Sequence, residues 1–238
     1  MNKSEKEIKF ENYRQYLKQE AQKLTGYIDL YKHLYEKKQD RLEEMNIAPA
    51  FFQTILNSLF TCIINWTHNL FSTKSERGLF NFLVFIENNL ALLSIEELKR
   101  RNQYPDNHWM LEREQISYKT IKSHRDQIDS ISSLDSVKTR RDKFHAHFDK
   151  DYFFERNKIS EDAPITWEDL EKIKETMKDI INTYSAAYDG NVYDLQVVNS
   201  YDIDNVLDIL HEYNENLKGI TSQFTGPDLP PSASNQAQ

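Results

Sequence analysis

The stretch TWEDLEKIKETMKDIINTYSAAYDG, residues 166–190, decides the fold. Leu170, Ile173, Met177, Ile180 and Tyr184 recur at three- and four-residue spacing, the period of a helix that buries one face. Thr166 is a good N-cap just after Pro164, and Gly190 stands where a helix ends in a left-handed residue. The same period extends through the rest of the chain. Residues 5–45 carry Tyr13, Leu17, Leu24, Ile28, Tyr31 and Tyr35 at helical spacing, with Gly26 a candidate bend. Pro49 suits the first turn of a helix running through Phe52, Ile55, Leu59 and Ile63 to about Phe71. Another helix follows Ser75 with Leu79, Phe82, Phe85 and Ile86. Ser94 and Glu97 form a capping box for a short helix ending near Asn102.

A loop is expected at Tyr104–Trp109, then helices over 112–131 and 134–150. A last helix uses Ile203, Val206, Leu207, Leu210 and Leu217 and stops at Gly219. A short strand pair at 152–159 or 191–198 stays open as an alternative. No linker interrupts 5–220, so the reading is one all-α domain over 1–221, a multi-helix bundle. Residues 222–238 form a polar, proline-bearing tail expected to be disordered.

Composition agrees. The 238 residues include only 5 Gly and 6 Pro, too few for the turns of a parallel α/β fold or a β-sandwich. No two glycines lie close enough for a dinucleotide fingerprint or a P-loop, so those phosphate-binding classes are excluded. Thirteen Phe, thirteen Tyr and three Trp supply apolar area for a core. The single cysteine, Cys62, cannot form an intrachain disulfide or a cysteine-rich zinc site, and reads as a buried small hydrophobe. The first ten residues are too charged for a secretory segment, and no run reaches about 18 uninterrupted apolar residues. A soluble, cytoplasmic protein is expected, with no membrane partner.

The net charge of −8 is unevenly placed. Residues 119–150 hold eight Lys and Arg against five Asp, a local +3, whereas residues from 151 onward hold 17 acids against 6 bases. An acidic chain is a poor nonspecific ligand for nucleic acid, but a local basic band serves one narrow site. Lys138, Lys143 and Lys150 are the lysines of that band expected to contact RNA.

Within it lies Thr139-Arg140-Arg141-Asp142-Lys143-Phe144-His145-Ala146-His147-Phe148-Asp149-Lys150-Asp151. On a regular helix Val137, Phe144 and Phe148 fall within about 40° of one another and define a buried stripe. Arg141 falls inside that stripe, His145 on one flank, and Arg140 with His147 on the other. Asp142 and Lys143 face away. An arginine on a core stripe needs an anionic partner or a wet cleft, so its plainest role is a structural ion pair. A second Arg and two His at helical reach point instead to chemistry.

His145 and His147 are about 200° apart on a helix and cannot chelate one ion. Only a strand would align His145, His147 and Asp149 for a divalent metal, and the run before them is helical. No metal and no cofactor are expected. Cleavage of RNA by its own 2′-hydroxyl needs a base, an acid and cations for the charge on phosphorus. Histidine serves the proton steps, and arginine grips phosphate with a planar fork. One helix offers these groups once, and a two-fold dimer would double them around a shared cleft.

An Arg followed after several residues by a His, on a helix of an all-α domain, resembles the motif of the HEPN superfamily. More narrowly, Arg141-Asp142-Lys143 with Ala146-His147-Phe148-Asp149-Lys150 is similar to the signature of its abortive-infection U-type branch. Ser75-Glu76-Arg77-Gly78-Leu79, Asn81-Phe82-Leu83 and Pro164-Ile165-Thr166-Trp167 also fit that branch, and the resemblance spans about 10–190. It implies a HEPN-like bundle and a metal-independent ribonuclease of phage-defence or toxin type. Arg141 then matches the motif arginine, Asp142 the polar residue after it, and His147 the catalytic histidine. Arg140 with His145 also satisfies the loose motif, so the register stays open. A regular helix would leave Arg141 and His147 about 120° apart, a separation that two contributing chains, or a departure from regular winding near Ala146, would relax.

The second reading is a non-catalytic HEPN-like module that binds RNA, a nucleotide or a protein. The chain holds no nucleotidyltransferase motif, so an antitoxin of that class would be a separate protein. Trp66, Trp109 and Trp167 are expected to pack rather than stack bases. His68 and His124 are isolated in the sequence and are assigned no role.

Overall fold

The computed structural model describes residues 3–146, 158–196, 199 and 202–224, apart from the side chains of 144–146 and 219–224. Every regular element among them is helical. The helices are α1 (Glu5–Asp40), α2 (Leu42–Met45), α3 (Pro49–Phe71), α4 (Leu79–Glu87), α5 (Ile95–Asn102), α6 (Tyr118–Asp129) and α7 (Ser133–Thr139). Then come α8 (Lys158–Asp162), α9 (Trp167–Asp189) and α10 (Asp202–Phe224). Short 3₁₀ turns lie at Leu90–Leu93 and Trp109–Leu111, and a π-helical turn, Arg140–Ala146, continues α7.

The expected caps of α9 are in place. Thr166 Oγ1 accepts from the Asp169 N–H at 3.1 Å, and the Asp169 carboxylate accepts from the Thr166 N–H at 2.8 Å. Gly190 ends the helix at φ +82°, where a side chain is strained, and a Cβ there would meet Tyr104 Oη at 3.0 Å. Pro49 opens α3 as expected.

α1 stays helical through Gly26, since one interior glycine costs only about 1 kcal/mol relative to alanine. It corrects the first expectation at its end, stopping at Asp40, with α2 a separate turn after Arg41. The capping box expected at Ser94 is half formed. The Glu97 N–H donates to Ser94 Oγ at 3.2 Å, but the Glu97 carboxylate turns to Arg100 at 2.7 Å. A full box stands at Ser4 and Glu7 instead. The helix expected over 112–131 begins only at Tyr118, capped by Ser117. The last helix does not stop at Gly219 but reaches Phe224, since no breaker follows until Gly226-Pro227. Residues 191–196 form no strand and 158–162 are helical. The rest of that strand alternative, and 225–238 of the expected tail, lie outside the described residues.

The main core gathers Leu17, Leu24 and Ile28 of α1, Ile63 of α3, Phe82 of α4 and the Ile173–Tyr184 face of α9. Phe10 stacks on Tyr188 at 4.3 Å. A smaller core joins Leu34, Met45, Phe52, Leu59 and Leu207, and α1 runs through both. Among its described side chains α10 contributes one that is fully buried, Leu207, with Ile203 and Leu210 half-buried beside it. Around them lie Arg41–Asp208 at 2.6 Å, His211–Glu44 at 2.6 Å and Lys218–Glu43 at 2.7 Å. Trp66 donates to Glu20 at 2.8 Å and Trp167 packs on Tyr31, as expected of packing residues. Trp109 does not: it is 72% exposed. Cys62 is half-buried rather than buried.

The buried Glu7 carboxylate accepts from the Ser4 N–H at 2.8 Å and from Arg100 and Arg101 at 2.8 and 3.2 Å. The Ser4 backbone bond above all, with the Ser4 hydroxyl and Arg101, holds its pKa at about 2 against the opposing effect of burial. The folded value lies below the ordinary one of 4.5, so this stabilisation is whole above pH 4.5 and is lost as pH falls toward 2. Glu7→Gln is therefore expected to cost about 2 kcal/mol at neutral pH. The gap between its melting curve and that of wild type should narrow below pH 4.5. A gap independent of pH would mean that the charge plays no part.

Candidate functional site

The motif segment does not continue as a regular α-helix. α7 ends at Thr139, and Arg140–Ala146 winds as a π-helical turn, a wider coil that often marks functional positions. The burial pattern overturns the expected facing of the two arginines. The stripe that α7 buries is Ser133, Val137 and Arg140, at helical spacing i, i+4, i+7. Phe144 lies beyond the change, and its place on a regular wheel does not carry across it.

Arg140 is thus the buried one, 8% exposed. Its Nε donates to the Ala163 carbonyl at 2.6 Å, and its guanidinium lies over the Phe60 ring of α3 at 5.3 Å. Arg141, expected on the core stripe, instead keeps 36% of its side chain exposed. It pairs with Asp142, the residue expected to face away. Its Nε is buried and has no hydrogen-bond partner among the described residues.

Arg141 and Asp142 line a cleft of about 370 Å³. One wall is α7 with Leu134, Val137 and Lys138. The end of α3, with His68 and Phe71, and the turn Ser72–Lys74 after it also line the cleft, as do Asp129 and Asp135. The cleft sets three cations, Lys74, Lys138 and Arg141, against three carboxylates. A phosphate entering it gains the Arg141 fork by displacing Asp142, the carboxylate already paired there.

His68, assigned no role from the sequence, lies half-buried in this cleft. Burial first, then Arg141 with Lys138, pushes its pKa below the ordinary histidine value, and Asp142 opposes them. Lys74 is the other cleft residue that sequence reasoning missed. No local pattern flags either of them. Both come from a helix end far upstream that the fold brings against α7.

Lys138 lines the cleft as an exposed lysine, and Lys143 is exposed. The side chain of His145, and all of His147, Asp149 and Lys150, lie outside the described residues. Among the described residues no three His, Cys, Asp or Glu side chains gather to hold a metal ion. No helix of the described residues is long and apolar enough to cross a membrane. His124 is structural: buried, it shares a hydrogen bond of 2.8 Å with the Tyr184 hydroxyl, and burial lowers its pKa.

The HEPN family AbiU2 matches residues 7–209. No curated protein and no solved structure matches the chain.

Proposed function

The chain belongs to the AbiU2 family of abortive-infection HEPN proteins, and from that premise we propose that it is a metal-independent endoribonuclease of phage-defence or toxin type. The observation that carries the reading is the placing of Arg141. Of two adjacent arginines, one is committed to packing, while the other stands at a half-open cleft among further cations. Arg141 holds the phosphate and stabilises the charge that develops on phosphorus. His147 moves a proton, Asp142 orients the guanidinium until phosphate displaces it, and Lys138, Lys143 and Lys150 follow the RNA backbone. Two chains form a homodimer with their motif segments face to face, so that each site draws on both.

The test is cleavage of a defined RNA by the full chain in EDTA. The expected products end in a 2′,3′-cyclic phosphate or its opened form. Loss of cleavage in EDTA, restored by zinc or manganese, would move the mechanism to a metal. Mixing Arg141→Ala and His147→Ala chains tests the dimer. A site shared between chains recovers about a quarter of wild-type activity, because half of the dimers then hold one intact site. A strictly monomeric protein that still cuts RNA would sink the shared site. If the chain binds RNA, a nucleotide or a separate antitoxin without cutting, the non-catalytic module replaces the enzyme.

A further inference from the structure

We propose that His68 is a catalytic residue of the Arg141 cleft, the base that takes the proton of the attacking 2′-hydroxyl. The proposal rests on the ribonuclease reading above and supplies a group which that reading lacks. Attack by a 2′-hydroxyl needs one group to accept a proton and another to give one. That reading assigns a single imidazole, that of His147, to each site.

His68 meets the geometric requirement. It sits in the last turn of α3 and lines the same cleft as Arg141 and Lys138. Buried Thr67, Leu70 and Phe71 anchor the helix around it, so the ring is carried on a rigid element. The ring is only half-buried, so substrate can reach it. No hydrogen bond ties it to another described side chain. Its surroundings also favour the right protonation state. Burial and the two cations favour the neutral imidazole that a base must be, and Asp142 alone among its named electrostatic partners opposes them. The other charged groups at the cleft are Lys74, Asp129 and Asp135.

The step balances as follows. A ring nitrogen of His68 takes the 2′-hydroxyl proton as the 2′-oxygen bonds to phosphorus. The bond from phosphorus to the 5′-oxygen breaks, and that oxygen takes a proton from the His147 imidazolium. Arg141 neutralises the charge on the non-bridging oxygens. The products are a 2′,3′-cyclic phosphate and a 5′-hydroxyl, and exchange with water resets both histidines.

The experiment uses the full chain and an oligoribonucleotide with one cut site. A second substrate carries sulfur in place of the bridging 5′-oxygen, a leaving group that departs without a proton. His68→Asn is expected to lower kcat by about a hundredfold on both substrates, with affinity for a 2′-deoxy analogue unchanged. His147→Ala should be rescued by the sulfur substrate. His68→Gln and a melting curve for each variant keep a folding defect in one of them from deciding the result. The assignment is overturned if both folded His68 variants cut within about threefold of wild type, if sulfur rescues them, or if the loss lies wholly in binding. Those results, with His147→Ala impaired, would leave the ribonuclease reading standing. A wild-type chain that cuts no RNA would overturn both together.

Discussion

Arg141→Ala and His147→Ala are each expected to lower RNA cleavage by about 10²–10⁴-fold, with the melting temperature close to wild type. The structure separates function from stability for Arg141 better than the sequence does. A core-facing arginine would confound the test, since removing it strands a buried partner. Arg141 is instead half-exposed, and its partner is the equally exposed Asp142 next to it. Its loss therefore leaves no buried carboxylate, and a pair this open contributes little to folding. Cleavage lost at an unchanged melting temperature identifies the arginine as part of the chemistry. His147→Ala is cleaner still, with less charge to strand. Arg140→Ala and His145→Ala should cost less activity per folded molecule. If His147→Ala cuts normally and His145→Ala does not, the working register is Arg140 with His145. If neither changes any RNA-directed activity, the protein is a binding module.

Arg140→Ala has the opposite expected signature. It removes the donor to the Ala163 carbonyl and the group lying over Phe60, and opens a void between α3 and the segment that follows α8. The loss is about 3 kcal/mol, from a cavity and a stranded carbonyl together. In a chain of this size that lowers Tm by about 6–12 °C. Arg140→Met, which keeps the stem over the ring, should recover part of it. A change under about 1 kcal/mol for Arg140→Ala would show that the buried guanidinium is not what joins these segments.

Helix periodicity made most of the fold legible. α3 and α9 follow from apolar spacing bounded by Pro49, Thr166 and Gly190, because a helix must bury one face and close its ends. What the pattern could not show was which residues set the buried stripe. Drawn from Phe144 and Phe148, which follow the change of winding at Arg140, the stripe took in Arg141; drawn from Ser133 and Val137, it takes in Arg140. The Ser4–Glu7 box went unread because Ser4 stands among charged residues with no apolar run to announce a helix start. His68 was invisible for another reason. Nothing near it in the chain looks chemical, and only tertiary packing of α3 on α7 gives it neighbours.

The attachment of α10 sets how the molecule opens. Burial of Leu207 contributes about 2–3 kcal/mol, and each solvent-facing pair around it under about 1. The α1–α3–α9 interior is far more deeply closed. The C-terminal helix is therefore the outer leaf of the fold. Its amides exchange with solvent through a partial opening that leaves the interior shut. Added salt loosens the leaf by screening its rim, while the seam at the cleft, built on buried Val137 and Arg140, stays closed.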